Sequence, residues 1–152
     1  MIIREFYEEG LYAFAGGFAC WEDAVLASIE PLVERGMAER GYGKEIIDSV
    51  KKYGPYINIS ELVSIPHAGI SPCVHGSGMA MMITREPVDF GEESEFKPRI
   101  FFAFCSTEAE AHLERLQQIS DFCSQESQLA ELLALHSKEE LEEYLRRKGE
   151  DV

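Results

Sequence analysis

Residues 100–105 read Ile-Phe-Phe-Ala-Phe-Cys, apolar at every position and bounded by Pro98 and Ser106. Successive side chains of a strand point to opposite faces of its sheet, so a strand with no polar position must be covered on both sides. Residues 62–65 and 78–84 form two further apolar runs, and residues 11–15 a less apolar fourth. Helical patterns supply the cover. Trp21, Ala24, Val25, Ser28, Ile29, Leu32 and Val33 make an i, i+3, i+4 stripe that ends at Gly36. Ile46, Ile47 and Val50 make a shorter one, stopped by Gly54-Pro55. Downstream, Thr107-x-x-Glu110 and Ser137-x-x-Glu140 have the spacing of capping boxes. The first introduces a face of Ala109, His112, Leu113, Leu116, Ile119 and Cys123, the second a face of Leu141, Tyr144 and Leu145. Leu129, Leu132 and Leu133 predict a short helix between them, and residues 89–95 an acidic surface loop joining two strands. Helices before, between and after buried strands predict an α/β fold, a three-layer α/β/α sandwich around a mixed, mostly parallel sheet of about five strands. With no internal repeat and no linker rich in Gly, Pro and Ser, residues 1–152 read as one domain.

The chain carries 28 Asp and Glu against 14 Lys and Arg, a formal charge of −14, and 45% of its residues are hydrophobic. That is a globular composition, not a disordered acidic tail. The charge repels DNA, RNA and anionic lipid, and allows a basic protein partner. No apolar stretch approaches the ~20 residues that span a bilayer. The opening MIIREFYEEG lacks the basic segment and apolar run of a secretory signal. Cys20, Cys73, Cys105 and Cys123 form no CxxC pair and are expected to be small buried side chains in a reducing compartment. These readings predict a cytoplasmic protein, in which the Asn58-Ile59-Ser60 sequon is without meaning.

Chemistry at neutral pH points to the four histidines. In Val63-Ser64-Ile65-Pro66-His67, Pro66 fixes its own φ and biases Ile65 towards an extended backbone. The strand therefore stops, and His67 emerges in a rigid turn at the carboxyl edge where open α/β sheets bind ligands. His112 lies in the first turns of the helix that directly follows residues 100–105. If the strands at 62–65 and 100–105 run parallel, both histidines reach one sheet edge. The plainer readings are a simple Pro-His turn and a buried, hydrogen-bonded His112 on an apolar stripe. His75 stands in a Gly- and Ser-rich turn, read as loop in preference to a place in the same pocket, and His136 reads as surface near a helix end. His67, Cys73 and His75 have ligand chemistry without the spacing of a zinc site, so no metal is expected. Cys73 lacks a third residue to orient it as a nucleophile, and Gly76-Ser77-Gly78 lacks the lysine of a phosphate-binding loop.

Residues 62–68, Leu-Val-Ser-Ile-Pro-His-Ala, resemble the phosphohistidine motif of the enzyme IIA components of the bacterial phosphoenolpyruvate-dependent sugar phosphotransferase system, mannitol–fructose class. Thr84-Arg85-Glu86-Pro87-Val88-Asp89-Phe90 is similar to that family's strand ending and Pro-hydrophobic-acid-Phe turn, and Ala111-His112-Leu113 with Leu116 to its helix-borne second histidine. In this order and spacing the three signals are far more specific than Pro-His alone. The similarity runs from Trp21 to the C-terminal helix. Gly54-Pro55-Tyr56 is most similar to the ascorbate-type branch. Leu62 stands where the family usually has Gly, and Ser64 where it often has Ala, departures that bear on strand packing and substrate branch more than on the nucleophile.

The resemblance implies that His67 takes a phosphoryl group from the phosphocarrier protein HPr and passes it to a cysteine of a IIB component, for sugar uptake through a membrane IIC. It implies that His112 hydrogen-bonds the transferring oxygens, with backbone N–H groups around Ala68, Gly69 and Ser106-Thr107 adding donors, and that no cofactor is needed. Family members also occur as regulatory modules whose phosphorylation state tunes a protein partner. A small-ligand or metal-binding domain is the third class, and would take no label. Residues 108–152 hold 12 acidic and 5 basic side chains, half of the net excess, which reads as a solvated outer face. HPr-type partners present basic residues around their own histidine, so acidic groups near His67 would speed encounter.

Overall fold

Pairing among the buried runs sets the frame. The computed structural model describes residues 2–149. Its strands are β1 (Tyr12–Ala15), β2 (Val63–Ser64), β3 (Gly78–Thr84) and β4 (Ile100–Cys105), in the order β1-β3-β4-β2. β1 lies parallel to β3 and β2 parallel to β4, while β3 and β4 are antiparallel. Every residue of β4 is at most 1% exposed, as a strand without polar positions requires.

The helices are α1 (Ile2–Glu9), α2 (Trp21–Glu34), α3 (Gly41–Tyr53), α4 (Ala109–Cys123), α5 (Glu126–Leu133) and α6 (Lys138–Arg147). Alternation along β4 sorts them into layers. Phe102 meets Phe6 of α1, ring centroids 6.0 Å apart, and Phe122 of α4 at 5.9 Å. On the opposite face α2 packs against β3 and β4, and α3 packs against α2. Each aromatic side chain buried this way contributes about 2–3 kcal/mol. The result is the expected α/β/α sandwich with a mixed sheet.

Four particulars differ from expectation. The described sheet has four strands, not about five: each of the four apolar runs supplies one and no further segment joins them, while residues 85–99, interrupted by Pro87, Gly91 and Pro98, form the loop expected between β3 and β4. Much of that loop is exposed and acidic, but Phe90 turns inward and stacks on Trp21 at 5.2 Å. Helix α1 was not foreseen, because only Ile3 and Phe6 of its single short stripe are buried. The capping box at Ser137 forms, its side chain accepting the Glu140 N–H at 3.2 Å, whereas the one at Thr107 does not. There Ser106 Oγ takes the Glu108 N–H at 3.1 Å and the helix begins two residues after Thr107. Leu113, placed by periodicity on the inner face of α4, is 66% exposed.

The outer edge of β2 is covered by the chain that leads into it. Ile65 N–H donates to the Ile57 carbonyl at 2.7 Å, Ile59 N–H donates to the Val63 carbonyl at 3.1 Å, and Asn58 bridges Ser64 antiparallel.

Candidate functional site

The parallel register Val63↔Ile100 and Ser64↔Phe101 carries both strands to the same sheet edge before each chain turns away. Phe104 N–H donates to the Pro66 carbonyl at 3.1 Å, extending the contact to the residue before His67. The His67 imidazole lies on the Phe104 ring, centroids 4.6 Å apart and planes 18° apart. His112, in the first turn of α4, brings its ring to 5.4 Å from His67 and 5.0 Å from Phe104. The two histidines that the sequence singled out therefore converge, over an aromatic seat provided by β4.

His67 Nδ1 stands 2.5 Å from the Ile65 carbonyl oxygen. A carbonyl only accepts, so Nδ1 carries the hydrogen and the lone pair is on Nε2. Burial lowers the pKa of His67 from its ordinary value; the bond to Ile65 opposes that shift and the neighbouring His112 reinforces it. The ring is thus neutral at pH 7, the form that attacks an electrophile.

Ser49, Tyr53, Tyr56, His67, Ala68, Gly69 and His112 line a cleft of about 330 Å³ around the imidazole. Its lining offers imidazoles, hydroxyls and backbone, with no carboxylate to repel an anion. A larger cleft of about 540 Å³ lies further along α4, between Ile59, Ser60 and Ile65 and the helix residues Leu116, Ile119 and Cys123. Its one titratable group is the Cys123 thiol, pushed up to about 11 by burial and so inert near neutrality.

The other candidate residues lie elsewhere. His75 is exposed, with Nε2 2.7 Å from Glu39 Oε2, and does not line the cleft. His136 is half-buried between α5 and α6. Among the described residues no group of three or more His, Cys, Asp or Glu is arranged around a common point that could hold a metal. Of the cysteines, Cys105 alone is fully buried; Cys73 and Cys123 are half-buried and Cys20 is exposed, so the uniform burial expected of them does not hold. The hydrogen bond to Glu45 raises the pKa of Cys73, with burial and the charge of that carboxylate adding to the rise.

Sequence reasoning missed the residues that hold the histidines in place. Phe104 was read only as core. Tyr42 sits on the same stripe of α3 as Ile46 and Val50, where its hydroxyl was the overlooked signal. Tyr56 was noted within Gly54-Pro55-Tyr56 without a role, yet its hydroxyl donates to the His67 carbonyl.

A family model described as "Phosphoenolpyruvate-dependent sugar phosphotransferase system, EIIA 2" matches residues 14–148. An ascorbate-specific phosphotransferase system EIIA component from Shigella boydii serotype 4 (strain Sb227) is 26% identical over 128 residues, covering 84% of this chain and 83% of that protein. The mannitol-specific cryptic phosphotransferase enzyme IIA CmtB of Escherichia coli superposes with a TM-score of 0.83 at 22% identity, over 97% of this chain and 99% of its own. Enzyme IIA of the mannitol system of Escherichia coli, solved in complex with phosphorylated enzyme IIB, superposes with a TM-score of 0.72 at 24% identity, over 89% and 94% of the two chains. No described helix of this chain is long and apolar enough to cross a membrane.

Proposed function

Because the chain belongs to the EIIA 2 family of the phosphoenolpyruvate-dependent sugar phosphotransferase system, and is therefore a phosphotransfer component, we propose that His67 is its phosphoacceptor and His112 the partner that stabilises the transferring group. The observation that carries this reading is the meeting of the two imidazoles, with the Nδ1 hydrogen of His67 committed to Ile65 and its Nε2 lone pair left available.

The Nε2 lone pair attacks the phosphorus of phospho-HPr. As the N–P bond to the HPr imidazole breaks, that imidazole leaves with the bonding pair. In the second step a IIB thiolate attacks the same phosphorus, the Nε2–P bond breaks, and the pair returns to His67. Each step asks for in-line positioning and for donors to the transferring oxygens. His112 and the hydroxyls of Ser49 and Tyr53 are side-chain donors that line the cleft, while the Tyr56 hydroxyl is committed to the His67 carbonyl. The name of the Shigella relative and the Gly54-Pro55-Tyr56 stretch together support an ascorbate-type sugar system, in which the sugar binds the membrane component and not this chain.

Incubation with phosphoenolpyruvate, enzyme I and HPr should give an acid-labile, alkali-stable phosphoryl adduct, absent from His67→Ala. Equal labelling of His67→Ala would sink the assignment. Onward transfer to the cysteine of a cognate IIB distinguishes a transport component from a regulatory module, which labels but does not hand on.

A further inference from the structure

We propose that Tyr42 and Tyr56 are positioning residues that grip the two ends of a single peptide group, the one joining His67 to Ala68, and so hold the imidazole in the tautomer that leaves Nε2 nucleophilic. The proposal rests on His67 being the phosphoacceptor.

Tyr42 is 0% exposed, and its hydroxyl accepts the Ala68 N–H at 2.9 Å. The same hydroxyl donates to the Phe104 carbonyl at 2.7 Å, with the Ala68 carbonyl 3.2 Å away. Tyr56 approaches from the turn after α3. Its hydroxyl donates to the His67 carbonyl, and its ring stands edge-on to the imidazole, centroids 5.4 Å apart at 88°. The carbonyl of His67 and the N–H of Ala68 are the two polar groups of one planar peptide unit. Both are therefore taken by tyrosine hydroxyls.

Packing alone does not call for these hydroxyls. Phenylalanine would fill the buried site at Tyr42 with the same ring, and burying a hydroxyl is favourable only when its bonds are made. Both partners of the Tyr42 hydroxyl belong to the support of the nucleophile: Ala68 follows it in sequence, and Phe104 is the ring beneath it. With the plane of the following peptide held and Pro66 fixing the preceding φ, the backbone of His67 has little freedom to swing. That keeps Nδ1 against the Ile65 carbonyl. Released from it, an imidazole in water favours the hydrogen on Nε2, which would block the attacking nitrogen.

The test uses Tyr42→Phe and Tyr56→Phe in the full chain, with His67→Ala as the control. Phospho-HPr is the donor, and ¹⁵N–¹H spectroscopy of the His67 ring reports its tautomer without any phosphoryl transfer. Tyr56→Phe is expected to lower kcat for phosphoryl uptake roughly three- to tenfold, the effect of losing one neutral hydrogen bond, and Tyr42→Phe, whose hydroxyl makes two such bonds, by at least as much, with KM for phospho-HPr unchanged in both. In each, the ring spectrum should shift from the Nδ1–H form towards Nε2–H. Wild-type tautomer ratios in both variants would overturn the proposal, whether or not the rate falls. A raised KM at unchanged kcat would overturn it too. Should Tyr42→Phe fail to fold, Tyr56→Phe decides alone, because that ring is 39% exposed and outside the core. Labelling that persists in His67→Ala would refute the phosphoacceptor reading instead, and the spectra would still report on the tyrosines.

Discussion

Ser64, in β2, and Ser106, just after β4, are both buried serines, and removing their hydroxyls should move stability in opposite directions. Ser64 is 0% exposed, and its Oγ has no hydrogen-bond partner among the described residues. Ser106 is 4% exposed; its Oγ accepts the Glu108 N–H at 3.1 Å and donates to the Glu108 carbonyl at 2.6 Å. An unpartnered buried hydroxyl costs about 1–3 kcal/mol relative to water. Deleting it forfeits the dispersion contacts of one atom, about 0.5 kcal/mol. Ser64→Ala should therefore stabilise by about 1 kcal/mol, or about 2–4 °C in Tm for a chain of this length. Ser106→Ala removes a partner from the N–H that opens α4 and should destabilise by about 1 kcal/mol. Urea unfolding followed by far-UV circular dichroism measures both, with an unchanged m-value showing that the denatured state is not responsible. A Ser64→Ala variant less stable than wild type would refute the reasoning, since its hydroxyl would then be making a bond worth more than its desolvation.

Other expectations follow from the histidine cleft. Burial holds the pKa of folded His67 below its unfolded value of about 6.5. Between those two values the unfolded chain binds a proton that the folded chain refuses. This contribution to stability is thus complete above about pH 6.5 and is lost as pH falls towards the folded pKa. Urea titrations across that window should show a shallower decline for His67→Gln than for wild type; equal declines would assign the effect to another group. Phe104→Leu keeps most of the core volume, costing about 1 kcal/mol, but removes the flat seat of the imidazole. Phosphoryl uptake should slow roughly tenfold, and a wild-type rate would show that the stacking contact does not position His67.

Much of this site was legible in the sequence, for identifiable reasons. Pro66 ends a strand, so the position of His67 follows from local chemistry. The all-apolar run at residues 100–105 required cover on both faces, which fixed the layers and placed His112 on the helix that leaves β4. Whether those two strands were parallel was not local information; it was an assumption that the register Val63↔Ile100 now supplies. The roles of Tyr42, Tyr56 and Phe104 were hidden because each looks like ordinary packing until its hydroxyl or ring is seen to meet a residue far away in sequence, 62 positions away in the bond from Tyr42 to Phe104. Leu113 shows the opposite failure. Periodicity put it inside, but the inner surface of α4 is narrower than its apolar stripe, and the helix leaves that side chain in water. Thr107 had the right spacing for a cap but lost to Ser106, which bonds both backbone groups of Glu108.

The strap from Ile57 to Ile59 gives the sheet rim beside His67 an unusual character. A rim strand normally presents a row of open amide and carbonyl groups that any extended peptide can zip onto. Here the strap has already filled that row, so a visiting protein finds rings and side chains to touch but no ladder to extend. Shape and charge, not backbone pairing, are what this rim offers to another protein.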